Sequence, residues 1–200
     1  LDREVWDGWD EAGATTPEEA ETRALRRLAR DAAEDIGSLG LLRVPAAALP
    51  STAWAIGPAS FEARLLENLD AFMALAEPYA GAGGPARFDP LSSLLDWAGD
   101  AMVPDPARAF ARAFVLGSVA GEDTAAAAVL SLRQSHTLTY EAQRDALSLA
   151  PHPGITPLVE RMIAEESPEL VRVGLSVLER RRQAAFEVVA PLLSHPAAEV

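Results

Sequence analysis

Along this chain apolar side chains recur at intervals of three and four, in blocks broken by proline and glycine. That is the period of amphipathic helices, and no run alternates in twos as a half-buried strand would. The starts of the blocks are well marked. Thr16-Pro17, Asp89-Pro90, Asp105-Pro106, Thr156-Pro157 and Ser167-Pro168 each place a side-chain acceptor before a proline. Such an acceptor satisfies an orphan N–H of a first turn, and proline at the first helical position has no N–H to lose. Thr16 with Glu19 also fits a reciprocal capping box.

The pattern predicts a helix from Pro17 to about Ile36, ended by Gly37 and Gly40, and a second between Ser60 and Glu77 with Leu65, Leu69 and Phe72 inward. Val44 to Ile56 reads as a short Ala-rich segment broken by Pro50, and Gly81 to Pro85 as a loop; a short helix starts at Asp89. From Asp105 the organisation becomes regular. Pro106–Ala120, stopped by Gly121, pairs with Thr124–Leu132. Thr139–Leu149 pairs with Ile155–Ala164 across Pro151-His152-Pro153-Gly154, and Pro168–Leu178 pairs with Gln183–Leu193. Leu149, Leu175, Leu178 and Leu193 are expected in the core.

A phrase also repeats. Ser167-Pro168-Glu169-Leu170-Val171-Arg172 opens one block, and His195-Pro196-Ala197-Ala198-Glu199-Val200 opens another, with Val171 and Val200 separated by 29 residues. Ala146 and Leu149 stand the same distance before Leu175 and Leu178, and Leu158 stands 28 before Phe186. A period of this length holding two helices predicts an all-α fold, an α-solenoid of antiparallel helix pairs. The expected organisation is an irregular helical region over 1–104 and repeats over 105–200. The last phrase stops before its apolar face is written, so the array is expected to continue beyond Val200.

These residues resemble the HEAT-repeat family, in its short bacterial form. The resemblance rests on Ser167-Pro168-Glu169-Leu170-Val171-Arg172 with Leu175 and Leu178, and on the restart at His195. Gly174 stands where the family commonly has alanine, and Gln143-Arg144 replaces Val-Arg one unit earlier. The resemblance implies a right-handed stack whose second helices line a concave face, which would present Glu160, Arg161 and Glu187. It implies binding rather than chemistry, although HEAT arrays serve many tasks.

Composition narrows the partner. The net charge is −13 and all 17 basic residues are arginine. A surface with this balance repels phosphates, so no nucleic-acid partner is expected, and a protein with a basic segment is. Arg180-Arg181-Arg182 is the local exception; it reads as the end of a helix, where cations complement the carbonyl dipole. One asparagine, no lysine and abundant Ala, Arg, Gly and Pro point to a GC-rich, bacterial coding sequence. With no cysteine there is no disulfide or thiolate site. Neither a membrane span nor an export signal is recognisable, so a cytoplasmic location is expected.

Catalytic patterns are missing from the sequence. There is no G-x-S-x-G, no phosphate-binding G-x-x-x-x-G-K-[ST] and no G-x-G-x-x-G; Gly81-Ala82-Gly83-Gly84 follows a helix rather than a strand. His136, His152 and His195 are not spaced as helical metal ligands, and His152 and His195 each precede proline as turn residues do. Ser135-His136 reads as a polar loop. No catalytic residue, cofactor or metal is therefore assigned. Trp6, Trp9, Trp54 and Trp97 all precede the repeats; they read as packing anchors, with Trp6 and Trp9 also candidates for a protein contact. The expected function is a non-catalytic protein-binding scaffold. The alternatives are a HEAT-like accessory enzyme such as a chromophore lyase, or a structural part of a larger protein.

Overall fold

The computed structural model of the chain describes residues 16–42, 61–75, 88–164, 167–183 and 186–194. The expectations for Trp6, Trp9, Trp54, the segment from Val44 to Ile56, the loop at Gly81–Pro85 and the phrase beginning at His195 lie outside them. Every regular element among the described residues is helical: α1 (Pro17–Leu42), α2 (Phe61–Ala74), α3 (Pro90–Gly99), α4 (Pro106–Leu116), α5 (Glu122–Arg133), α6 (Tyr140–Leu149), α7 (Ile155–Ile163), α8 (Pro168–Arg181) and α9 (Phe186–Val189). Single 3-10 turns cover Thr137–Thr139 and Ala190–Ser194. The second of these is a departure from the sequence, which predicted one helix over Gln183–Leu193.

The caps explain several starts. Thr16 and Glu19 form the reciprocal box: the Thr16 N–H donates to Glu19 Oε2 at 3.0 Å, and the Glu19 N–H to Thr16 Oγ1 at 3.2 Å. Asp89 accepts from the Leu91 N–H at 3.0 Å, and Asp105 from the Ala107 and Arg108 N–H groups at 2.9 and 3.2 Å. Thr156-Pro157 does not act this way. Helix α7 already begins at Ile155, with Gly154 as its cap, and the Thr156 hydroxyl bonds the Gln183 side chain instead.

Glycine produced the main correction. Gly37 and Gly40 do not end α1, which runs through both to Leu42. A Cβ on Gly37 would sit 2.5 Å from the Ala107 carbonyl oxygen, and one on Gly40 would overlap the Phe110 ring. The two glycines are where α1 lies against α4. Likewise α4 stops at Leu116 rather than Ala120, because Gly117 turns the chain there and its carbonyl accepts from the His152 N–H at 3.1 Å. Gly121, at φ 136°, is the cap of the next helix rather than the stop of the previous one.

Helix α4 is the most enclosed element. Phe110, Ala111, Ala113, Phe114, Val115 and Leu116 are all buried, and it packs against α1, α3, α5 and α6. A helix apolar on most of its circumference must be surrounded in this way. The Phe110 and Phe114 rings stack at 5.6 Å, and each fully buried ring contributes roughly 2–3 kcal/mol of transfer free energy. Further packing joins α1 to α2 and α3, α6 to α8, α5 to α7, and α7 to α8. One hydrophobic cluster runs from Ala29 on α1 to Leu178 on α8, so it crosses position 104/105.

Helix α7 seats on α8 and α5, not on α6, the helix the sequence pairs it with. Its face of Ile155, Val159, Met162 and Ile163 is buried, and Gly174 of α8 admits the Ile163 and Met162 side chains. Leu178 is fully buried, while Leu149 and Leu175 are only partly so. No helix among the described residues is long and apolar enough to cross a membrane.

Candidate functional site

Helices α5 and α7 border a groove of about 400 Å³. Its floor is apolar: Ala126, Val129 and Leu130 come from α5, Leu158 and Met162 from α7. Leu130 is 45% exposed there. Asp123, Arg133 and Arg161 supply the polar rim. Both helices turn their other faces to the core, through Ala125, Ala128 and Leu132 on α5 and Ile155 and Val159 on α7. The 3.6-residue period leaves this second stripe facing outward.

Among the described residues that the sequence offered as protein contacts, only Arg161 lines the groove. Glu160, its neighbour, is half-buried, and Glu187 is exposed on the short helix α9; neither borders the groove. Trp6 and Trp9 fall outside the described residues. Trp97, on α3, is a packing residue. The Arg108 guanidinium lies 4.9 Å from its ring centroid and donates to its backbone carbonyl at 2.6 Å.

The arginine cluster resolves into three separate roles. Arg180 ion-pairs with Asp145 of α6. Arg181 reaches over the C-terminal end of α6, donating to the Leu147 carbonyl at 3.0 Å, to that of Ala150 at 2.5 Å and to that of His152 at 3.2 Å. The Leu147 and Ala150 carbonyls lie at the negative end of α6, which a guanidinium satisfies as a C-terminal cap would, and the His152 carbonyl belongs to the turn that follows. Burial pushes the Arg181 guanidinium down from its ordinary value. Arg182 closes α8 in the left-handed region at φ 54°. The cluster thus complements a helix end, but that of α6 across the fold as well as that of its own helix.

The histidines within the described residues serve turns. His152 Nδ1 accepts from the Gly154 N–H at 3.0 Å, and His136 Nδ1 from the Leu138 N–H at 3.2 Å. Sequence reasoning missed the long reach of Arg181, whose partners lie 29 to 34 positions away, and missed the groove. A signal for the groove was present in the apolar stripe of Ala126, Leu130 and Leu158, beyond what one buried face needs. No family model, no curated protein and no solved structure matches this chain.

Proposed function

We propose that the chain is a non-catalytic scaffold of HEAT-like helix pairs, and that it binds a segment of another protein along the α5–α7 face. The observation carrying this reading is the groove of about 400 Å³ with Leu130 45% exposed in its floor. Apolar anchors with a charged rim are the anatomy of a peptide-binding helical surface. The row in which α1, α4, α6 and α8 each pack on the next, with α5 against α7 beside it, supports the solenoid architecture. The net charge of −13 favours a partner with basic residues flanking its apolar anchors, through faster encounter and exclusion of acidic competitors.

The test is affinity capture from source-cell lysate at low and moderate salt. Wild type is compared with Leu130→Glu and with Glu160→Arg/Glu187→Arg, after circular dichroism has shown all three folded. A protein retained by wild type and lost by Leu130→Glu places the contact in the groove. The double charge reversal is expected to retain less partner at low salt and to lose less of it as salt rises, because the attraction that salt screens has been removed. A wild type that retains no specific protein at either salt refutes the scaffold.

A further inference from the structure

A second cavity, of about 330 Å³, opens where the loop between α3 and α4 meets the outer side of α4 and the turn from α5 into α6. Its wall holds two arginines of different standing. Arg108 is engaged, at 3.4 Å from Asp105 and stacked on Trp97. Arg112 is not: among the described residues it makes no ion pair or hydrogen bond, and its Nε is buried without a partner. A guanidinium desolvated without an acceptor costs more than the same group paired, so an unmatched one is a reason to look for an anion. Burial pushes the Arg112 guanidinium below its ordinary value, but that value is so high that the group stays charged at neutral pH.

The same cavity is lined by Gln143 of α6, only 2% exposed, with its Oε1 buried and unpartnered. The orientation of this amide follows from its neighbour. Ser135 has a single hydroxyl proton, and gives it to the Ser131 carbonyl at 2.5 Å. Gln143 must therefore donate to Ser135 Oγ through Nε2, as observed, which turns Oε1 the other way. Oε1 and the Arg112 Nε lie just behind a wall that their residues form. Turning Oε1 toward a ligand donor would exchange the Ser135 bond for the new one, a turn that the broad terminal torsion of a glutamine permits. The remaining wall is mixed: Gln134, His136 and Thr139 stand on one part of it and Met102 and Val103, 100% and 70% exposed, on another.

We infer that this cavity binds a small monocarboxylate that carries an O–H or N–H donor and a short apolar tail. Arg112 would hold the carboxylate, Gln143 Oε1 would accept from the donor, and Met102 with Val103 would cover the tail. A volume near 300 Å³ suits a small molecule. A phosphate is disfavoured because a single unpaired arginine faces the cavity while Asp105 also lines it. The net charge of −13 further repels a dianion about twice as strongly as a monoanion.

The experiment is amide chemical-shift titration of the whole chain with 2-hydroxy-4-methylpentanoate. The comparison probes are its primary amide, 4-methylpentanoate and inorganic phosphate, each to about 10 mM, well above a dissociation constant of ~1 mM. The expected result is saturable shifts confined to residues 98–112 and 134–143. The primary amide should bind at least about tenfold more weakly, and Arg112→Gln should weaken the acid by about tenfold or more while Arg112→Lys recovers part of it. Gln143→Leu should erase the preference for the hydroxy acid over 4-methylpentanoate. Shifts from the acid and its amide that match, shifts lying elsewhere, tighter binding of phosphate, or no saturable shift in wild type would each overturn the inference. The wild-type titration decides this even if an Arg112 variant fails to fold.

Discussion

Replacing Gly37 by alanine sets two well-measured effects against each other. In a helix interior alanine is favoured over glycine by about 1 kcal/mol, and Gly37 lies within α1 with φ outside the left-handed region. Propensity alone predicts stabilisation. Against it, the new Cβ would stand 2.5 Å from the Ala107 carbonyl oxygen, 2.9 Å from its carbonyl carbon and 3.2 Å from its Cβ. Comfortable carbon contacts lie at about 3.5–4.0 Å, so α1 and α4 would have to part by roughly 1 Å. The obstacle is backbone on both sides, and α4 is held on its other faces by α3, α5 and α6. Overpacking of this kind costs roughly 1–3 kcal/mol, and parting the helices also weakens the neighbouring contact of Gly40 with Phe110. The expected net loss is about 1–2 kcal/mol, or a fall in Tm of roughly 2–8 °C for a chain this long.

Gly99 supplies the internal control, since a Cβ there meets nothing within 4 Å. Gly99 is the last residue of α3, where only part of the interior propensity applies, so Gly99→Ala should raise Tm by about 1–2 °C. A third variant separates packing from helix ending. If Gly37 were a left-handed cap, asparagine would be tolerated better than alanine; if it marks a close approach, the larger asparagine is the worse of the two. Urea and thermal unfolding followed by far-ultraviolet circular dichroism measure all three. The reasoning fails if Gly37→Ala and Gly99→Ala are stabilised alike, or if Gly37→Asn outranks Gly37→Ala.

Two further outcomes follow from the caps. Arg181→Met keeps the aliphatic stem but leaves the Leu147 and Ala150 carbonyls without this donor, while that of His152 keeps the Ile155 N–H; with partial resolvation by water it should cost about 2–3 kcal/mol, read as a fall in Tm of roughly 4–12 °C. At the start of α3, the hydrogen bond from Ser92 holds the Asp89 carboxyl below its ordinary value of 3.8. A depressed carboxyl adds stability above that value, and the gain disappears as pH falls through the folded-state value. Ser92→Ala should therefore be less stable than wild type at neutral pH and converge with it in acid, measured by urea midpoints across pH 2–7; a gap that persists unchanged into acid would contradict this assignment.

What could be read from sequence was whatever is decided within one turn of helix. Thr16 with Glu19, Asp89 and Asp105 work as caps because donor and acceptor lie two or three residues apart, and the 3.6-residue period places Phe110, Phe114, Leu65 and Phe72 inward without reference to any other element. Where the partner lies across the fold, local signals misled. Gly37 and Gly40 carry the ordinary mark of a helix end, yet what demands glycine is α4 passing beside them, some 70 residues on in the chain. Thr156-Pro157 has the form of a cap, but its hydroxyl is taken by Gln183 from the far end of α8. Ser135 reads as loop polarity until Gln143 is found behind it.

The same division explains why both candidate sites escaped a residue-by-residue search. Arg161 enters the α5–α7 groove only because α7 docks on α5 rather than on its sequence neighbour α6. On its other side α7 meets α8, where Gly174 makes room for Ile163, at the very position where the repeat pattern favoured alanine. Gly37, Gly40 and Gly174 do not punctuate their helices; they set how closely neighbouring helices may touch, and so how outward faces come together. In a fold made of short helices, the surfaces available for binding are therefore chosen by residues that never reach them. A substitution at Gly174 should redistribute the groove more than one at Glu160 or Glu187, because it acts on the spacing of α7 and α8 rather than on the charge they display.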